Sequence, residues 1–346
     1  MNYINIQERE RMDQDIMEID QRNNDAEKVP EEAAAGSAEE APAPFPKKSG
    51  FATIIGRPNV GKSTLMNRMI GQKIAITSYK PQTTRTKIRT IYTGEEGQIV
   101  FLDTPGIHES RTKLGAYMVK AAKGTLKEVD VILWLVEPRA SLSPEDKAII
   151  ELLGEVKTPV IIVINKVDKV KKAEILPVID LYAHAGNFHE IIPVSARKGD
   201  GVDQLMEEIF RLLPEGEPFY DEDMVTTQTE REIAGEIIRE KALRLLQEEV
   251  PHGIAVTIES MKTRSRKGKG DICDIDASII CEREGHKSIV IGKGGEMLRK
   301  IGTDARKDIE NMLQCQVNLK LWVKVRRDWK DDDTQMRSFG YDERKL

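Results

Sequence analysis

One glycine-rich motif constrains the fold of this 346-residue chain more than any other feature. An apolar run at residues 51–55 leads into it, and a helical pattern follows. The motif satisfies G-x-x-x-x-G-K-[ST] and reads Gly56-Arg57-Pro58-Asn59-Val60-Gly61-Lys62-Ser63-Thr64. In such a loop, backbone N–H groups and the helix N-terminus wrap a phosphate chain, Lys62 reaches the β- and γ-phosphates, and the Ser63 hydroxyl binds magnesium. The motif therefore predicts a strand–loop–helix unit that binds a nucleotide.

Further short apolar runs alternate with helical patterns. Residues 99–102, 131–136, 160–164 and 191–194 resemble buried strands, whereas 144–154 and 202–213 have helical apolar spacing. Ser143-Pro144 is a helix cap followed by a first-turn proline. This alternation predicts an α/β domain with a mostly parallel sheet and helices on both faces.

Composition excludes several other classes of protein. The longest apolar runs are about six residues long, whereas a membrane helix needs about twenty. Three separated cysteines without a C-x-x-C pair argue against a disulfide framework and a thiolate zinc site, so we expect a cytoplasmic protein. Residues 1–49 carry twelve acidic and six basic side chains and an Ala/Pro-rich stretch, which predicts a disordered acidic extension.

Three more motifs follow predicted strands at the carboxyl edge of the sheet, where α/β proteins bind ligands. Asp103-Thr104-Pro105-Gly106 places a carboxylate beside the metal and a glycine N–H near the γ-phosphate. Asn165-Lys166-Val167-Asp168 and Ser195-Ala196 come later. A carboxylate at 168 can accept from both N1–H and the exocyclic amine of guanine, which favours GTP over ATP.

The four motifs in this order resemble the translation-factor-related small GTPases, specifically the Era group. The resemblance implies GTP/GDP and Mg²⁺ as ligands and assigns the residues of all four motifs to nucleotide binding. The segment Tyr79-Lys-Pro-Gln-Thr-Thr-Arg85 is similar to the effector loop of that group. By that alignment Thr84, with Thr83 as the alternative, joins Ser63 and Asp103 at the metal, and Lys62 and Thr84 are the catalytic candidates.

One departure from the Ras pattern bears on hydrolysis. Ile107 follows the D-T-P-G turn, where Ras-like proteins carry the glutamine that orients attacking water. Isoleucine cannot hydrogen-bond water, so we expect slow intrinsic hydrolysis aided by a partner or a monovalent cation. Asn59 matches the asparagine that potassium-activated relatives use to hold the ion; its alternative role is to cap local backbone.

After Leu213 the chain changes character. A proline- and acid-rich stretch at 214–223 marks a linker. The following pattern predicts a helix at about 228–248, strands at about 253–261 and 271–282, a helix into Ile291, a helix at about 296–313 and a strand at about 316–325.

This order, with glycines between two helices, resembles a type II KH domain. A G-x-x-G loop allows close approach of a nucleic-acid backbone, and Lys293 adds positive charge. The resemblance assigns RNA binding to Ile289, Ile291, Gly292, Lys293, Gly294 and Gly295.

We therefore predict an extension (1–49), a GTPase domain (50–217), a linker (218–227), a KH domain (228–330) and a polar, loosely held tail (331–346). The resemblance implies a monomeric GTPase that binds the 3′ end of 16S ribosomal RNA and assists 30S assembly. The alternative is an RNA-binding module with negligible GTP turnover.

The basic cluster at 262–269 is a candidate contact for RNA or the inner membrane surface, or a solvated turn. Trp134 and Trp322 are predicted core residues.

Overall fold

The structure is a computed structural model, and it describes residues 47–72, 88–103, 113–114, 117, 120, 124–266, 268 and 270–341. For Ile88 and Asp103 it describes the backbone only. The predicted extension therefore lies almost wholly outside the described residues, as do Thr83, Thr84, the turn at 104–106 and Ile107.

A six-stranded sheet forms the first half of the described chain, in the order β2-β3-β1-β4-β5-β6. Its strands are β1 (Lys48–Gly56), β2 (Ile88–Gly94), β3 (Gly97–Asp103), β4 (Val131–Val136), β5 (Val160–Ile164) and β6 (Glu190–Pro193). All neighbouring pairs are parallel except β2 and β3, which form an antiparallel hairpin. The five strands predicted from apolar runs are confirmed, whereas the edge strand β2 was not anticipated.

Helices cover both faces of this sheet, as the alternating pattern predicted. They are α1 (Lys62–Ile70), α2 (Pro144–Gly154), α3 (Lys172–Ala183) and α4 (Val202–Leu212). One buried cluster joins Leu65 of α1 and Leu205 of α4 to the sheet, and another joins Ile149 of α2 and Val178 of α3 to its opposite face. Helix α2 starts at the predicted cap, where the Ser143 hydroxyl accepts from the Asp146 N–H and the Asp146 carboxylate accepts from the Ser143 N–H.

A second, three-stranded sheet is covered by helices on one face. Strands β7 (Ala255–Arg266), β8 (Gly270–Cys281) and β9 (Gln316–Val325) lie in that order, with β7 antiparallel and β9 parallel to β8. Helices α5 (Glu230–Leu245), α6 (Glu284–Ile291) and α7 (Glu296–Leu313) pack on it. The predicted α-β-β-α-α-β order is confirmed.

Two sequence predictions about this half were wrong. Trp322 is 59% exposed, because side chains alternate along β9 and its position projects away from the helices. Residues 331–341 are not loosely held. A short helix, α8 (Asp333–Ser338), folds back so that Met336 and Tyr341 are buried with Trp329, whose indole N–H donates to the Gly253 carbonyl at 3.0 Å.

A buried cluster connects residues 114 and 117 with the C-terminal part of the described chain. Leu114 and Tyr117 share a buried cluster with Trp329, Met336 and Tyr341. Nearby, the Lys113 ammonium pairs with Asp333 at 3.0 Å. None of the helices in the described ranges is long and apolar enough to cross a membrane.

Candidate functional site

The phosphate loop connects the end of β1 to the start of α1, in the strand–loop–helix context that the motif requires. Gly61 precedes α1 with φ 109°, and a Cβ built there would lie 2.2 Å from Asn165 Nδ2. Only glycine fits this backbone and this approach. Ser63 lies in the first turn of α1, at the helix N-terminus, where backbone N–H groups point out of the helix toward an anion.

Lys62 already lies over this loop. Its ammonium donates to the carbonyl oxygens of Gly56 and Arg57, both at 3.0 Å. Phosphate oxygens are stronger acceptors for an ammonium than neutral carbonyls. The lysine can therefore turn from the loop carbonyls to a phosphate with little movement.

Asn165, at the end of β5, ties three loops together. Its Nδ2 donates to the Val60 carbonyl at 2.8 Å, and its Oδ1 accepts from the N–H groups of Lys166 at 2.8 Å and Ala196 at 3.0 Å. The side chain is 2% exposed. The phosphate loop, the N-K-x-D motif and the S-A pair are thus held in fixed relation by one buried amide.

Asp168 presents a carboxylate at the rim of the site. One of its oxygens accepts from the Ser195 hydroxyl at 2.8 Å. This bond is the main cause that lowers the pKa of Asp168 below its ordinary 3.8, against the opposing effect of desolvation. The side chain therefore stays an anionic acceptor, with a second oxygen available for ring N–H donors.

Glu137, which follows β4, was not predicted as a site residue because no motif contains it. Its carboxylate accepts from the Lys166 ammonium at 2.6 Å, and the same ammonium donates to the Asn59 carbonyl at 2.6 Å. Burial opposes ionisation of Glu137, but Lys166, Arg139 and Arg57 together lower its pKa. Glu137 holds the lysine of N-K-x-D over the phosphate loop.

A second ion pair that the sequence did not predict connects the phosphate loop to helix α2. Arg57 Nε lies 3.2 Å from Asp146 Oδ1, and Asp146 is 1% exposed. Asp146 also belongs to the capping box of α2 with Ser143, so the arginine joins the phosphate loop to that helix. Arg57 was predicted to contact the nucleotide, but its side chain is paired with Asp146 in this structure.

The remaining members of the predicted metal set are only partly described. The Asp103 backbone ends β3 and pairs with Ile54 of β1, which places it beside the start of the phosphate loop. The threonines and the 104–106 turn are outside the described residues.

The glycine-rich turn of the second sheet connects α6 to α7. Gly292 has φ 74°, and a Cβ there would lie 2.7 Å from the Met297 Cβ, so a side chain is excluded. Gly294 and Gly295 also have positive φ, at 59° and 80°, and Lys293 is exposed. The turn therefore presents a bare backbone beside one positive charge.

A groove of about 380 Å³ lies between α7 and β9 beside this turn. Its apolar members are Leu298, Leu319 and Leu321, and Arg299 and Arg306 stand at its side. Ile289, which is 50% exposed, and Ile291 lie on α6, outside this lining. Sequence reasoning missed the leucines because their convergence depends on how α7 crosses β9.

The chain matches two families in separate segments. Residues 51–166 match the family described as 50S ribosome-binding GTPase, and residues 249–330 match the KH domain. These segments contain the phosphate loop and the glycine-rich turn respectively.

The chain matches relatives over nearly their full length. It is 52% identical to the GTPase Era of Alkaliphilus metalliredigens over 295 residues, which are 85% of this chain and 99% of the relative. The Clostridioides difficile GTPase Era is 51% identical over 298 residues, 86% of this chain and 99% of that one.

Two solved structures superpose on both halves. An Aquifex aeolicus Era variant bound to GDP and AlF4⁻ gives a TM-score of 0.81 at 43% identity, covering 85% of this chain and 99% of that one. Era in complex with MgGDPNP and nucleotides 1506–1542 of 16S ribosomal RNA gives 0.81 at 42%, covering 86% and 99%. With half of its residues shared over nearly the full length of these relatives, and with both motif-bearing sheets in place, the chain belongs to the Era family of GTPases.

Proposed function

We propose that this GTPase is a switch that binds the 3′ end of 16S ribosomal RNA and assists assembly of the 30S subunit. The observation that carries the proposal is the joining of two sites in one chain. A phosphate loop tied to a guanine-reading carboxylate lies in the first sheet, and a glycine turn with an apolar groove lies in the second. The Era complex with MgGDPNP and 16S nucleotides supports both ligands. We divide the chain at 50–217 and 228–330.

We assign nucleotide binding to the groups of the four motifs. The loop N–H groups and Lys62 hold the phosphates, and the second oxygen of Asp168 accepts from guanine N1–H and amine. The hydroxyl and carboxylate of Ser63 and Asp103, with Thr84 or Thr83, are hard oxygen donors of the kind that Mg²⁺ prefers. Bound there, Mg²⁺ would neutralise charge on the β- and γ-phosphate oxygens.

Hydrolysis depends on what replaces the missing glutamine. Ile107 offers no hydrogen bond to water, so we propose slow turnover that K⁺ accelerates. The Asn59 carbonyl is engaged by Lys166, whereas its side chain is exposed and is the group we assign to the cation.

The RNA is held by the turn and the groove together. Backbone at Gly292–Gly295 approaches the phosphates closely, Lys293 supplies charge, and bases enter the groove past Leu298, Leu319 and Leu321. A KH groove clamps about four nucleotides.

A single-turnover GTP hydrolysis assay tests the proposal. It is run with and without 30S subunits, in K⁺ and in Na⁺. We expect slow GTP turnover that rises with subunits and is faster in K⁺. No turnover in any arm would refute the switch, and equal rates in K⁺ and Na⁺ would refute only the Asn59 assignment.

We place this activity in the cytoplasm, in a monomer, with the basic segment around Lys262 available to the inner membrane surface. Sedimentation with anionic vesicles at physiological salt tests that contact. A protein that stays in the supernatant at every lipid concentration would remove it.

A further inference from the structure

The outer face of the second sheet, away from its helices, carries an exposed aromatic ring in a polar surround. Trp322 projects from edge strand β9 and is 59% exposed, opposite Ser278 of β8, which in turn pairs with Thr257 of β7. The other two tryptophans, Trp134 and Trp329, are buried. Such a tryptophan leaves a large apolar surface in contact with water. Side chains of this kind are typical of binding surfaces.

Two lysines share this face with the ring. Lys320 lies two residues before Trp322, about 6.7 Å away along the strand. Lys262 lies on β7, two strands away from Trp322 and two rows along the sheet. Within the described ranges, neither ammonium makes a hydrogen bond or an ion pair. Lys320 interacts at longer range with Asp274, whose pKa it helps to lower. Both ammonium groups can donate to an external anion.

The acidic groups on this face are already engaged. Asp274 accepts from Arg264 at 2.5 Å and from Asn318 at 2.7 Å, which lowers its pKa to about 2. Glu259 pairs with Lys324 at 2.8 Å. Asp276 accepts from the Ser260 hydroxyl at 3.0 Å and keeps its negative charge opposite Lys320, so Lys262 and Lys320 together leave one net positive charge for a partner.

We propose that this face is a second RNA-binding surface, on which a single-stranded base stacks on Trp322 while neighbouring phosphates contact Lys320 and Lys262. The inference rests on the proposed RNA binding and extends it beyond the groove. Aromatic rings beside lysines bind single strands, because every base has a stacking face and every nucleotide a phosphate. Protein interfaces, in contrast, are depleted in lysine.

Strand β9 links the two surfaces. Leu319 and Leu321 face the groove, while Lys320 and Trp322 alternate with them on the outer face. β9 is an edge strand, so an RNA that leaves the groove can pass around it to reach Trp322. A four-nucleotide RNA fills the groove alone, whereas a longer one reaches both surfaces.

Tryptophan fluorescence reads this surface directly, because Trp322 is the exposed member of the three. The full chain is titrated with a four-nucleotide RNA from the 16S 3′ end and with one about three times longer, and acrylamide quenching is measured. We expect only the longer RNA to quench Trp322 and shield it from acrylamide. Trp322→Phe should abolish the signal change and retain most affinity, since phenylalanine still stacks.

Anisotropy with the same two RNAs measures the energetic effect. Stacking contributes about 1–3 kcal/mol per base, so Trp322→Ala should weaken the longer RNA about 5- to 150-fold and leave the short one unchanged. Lys320→Ala should reduce the salt slope for the longer RNA by about 0.7. Lys147→Ala, an exposed lysine of α2, is the matched control and should change nothing.

The outcomes separate this inference from the proposed function. If wild type binds both RNAs and Trp322→Ala leaves both affinities unchanged, the second surface is refuted and the groove stands. If wild type binds neither, the proposed function fails and this inference with it. Shielding of Trp322 that grows with protein concentration in the absence of RNA would refute the inference in favour of contact between copies.

Discussion

Asp168→Asn should shift the nucleotide preference from GTP toward xanthosine triphosphate, and not only weaken GTP binding. In the structure one carboxylate oxygen is held by Ser195 at 2.8 Å, which leaves the second oxygen for guanine. An asparagine can still accept from Ser195 through Oδ1 and would then present an NH₂ group to the base. That group repels the guanine N1–H and amine, and it donates well to the O2 of xanthine.

The magnitude follows from the bonds lost. Two charge-assisted hydrogen bonds at about 1.5–3 kcal/mol each give a loss of about 3–6 kcal/mol, or roughly 10²- to 10⁴-fold in GTP affinity. Xanthosine triphosphate should gain relative to GTP by a comparable ratio. Competition against a fluorescent GDP analogue measures both nucleotides on one protein sample.

A matched variant separates the base contact from local structure. Ser195→Ala removes the neighbouring hydroxyl but keeps the carboxylate, so GTP affinity should fall modestly and preference should not invert. The wild-type ratio of GTP to xanthosine triphosphate in Asp168→Asn would refute the assignment. The ratio of wild-type to Asp168→Asn affinity for GTP should also be flat from pH 8 to 5, because the pKa of Asp168 lies below 3.8 and the carboxylate is protonated only as pH falls through that lowered value.

The other predictions concern the nucleotide site, the glycine-rich turn and the Glu137–Lys166 ion pair. Lys62→Ala should weaken GTP binding roughly 10- to 150-fold, whereas Thr84→Ala should leave GDP affinity nearly intact and slow hydrolysis; equal GDP losses in isothermal titration would contradict separate roles. Gly294→Asp with Gly295→Asp should weaken RNA at least about tenfold without changing GTP affinity, because both positions face open space and the added charge meets phosphate. Anisotropy with circular dichroism as the folding control checks this, and wild-type RNA binding by a folded variant would remove the groove assignment. Glu137→Gln should weaken GTP and ITP by the same factor, since it loosens the lysine of N-K-x-D and not the base-reading carboxylate; a selective loss of GTP would contradict that role.

Much of the fold could be predicted because its information is local. Interior strands of a parallel sheet are buried on both sides, so each appears as one apolar run, and the phosphate loop has a fixed spacing. Strand β2 was not predicted because it is an edge strand in which polar and apolar residues are mixed, IRTIYTG. Helix α3 was not predicted, partly because Pro177 lies inside it.

The ion pairs and the exposed ring could not be predicted for a different reason. Arg57 and Asp146 are 89 residues apart in sequence, and Glu137 and Lys166 are 29 apart, so their meeting depends on strand order. Trp322 lies between two apolar residues, and only its position in the alternation of β9 decides that it faces water.

The amide of Asn165 has a consequence for how binding energy is divided. Its three hydrogen bonds form within the protein itself, so the conformational entropy of aligning three loops is lost on folding and not when GTP arrives. A preorganised site binds more tightly for the same contacts. The empty protein in turn depends on that residue for stability, because removing a buried amide leaves the Val60 carbonyl and the Ala196 N–H without partners, at about 1–3 kcal/mol each. Nucleotide affinity and the stability of the unliganded chain are therefore set by the same side chain.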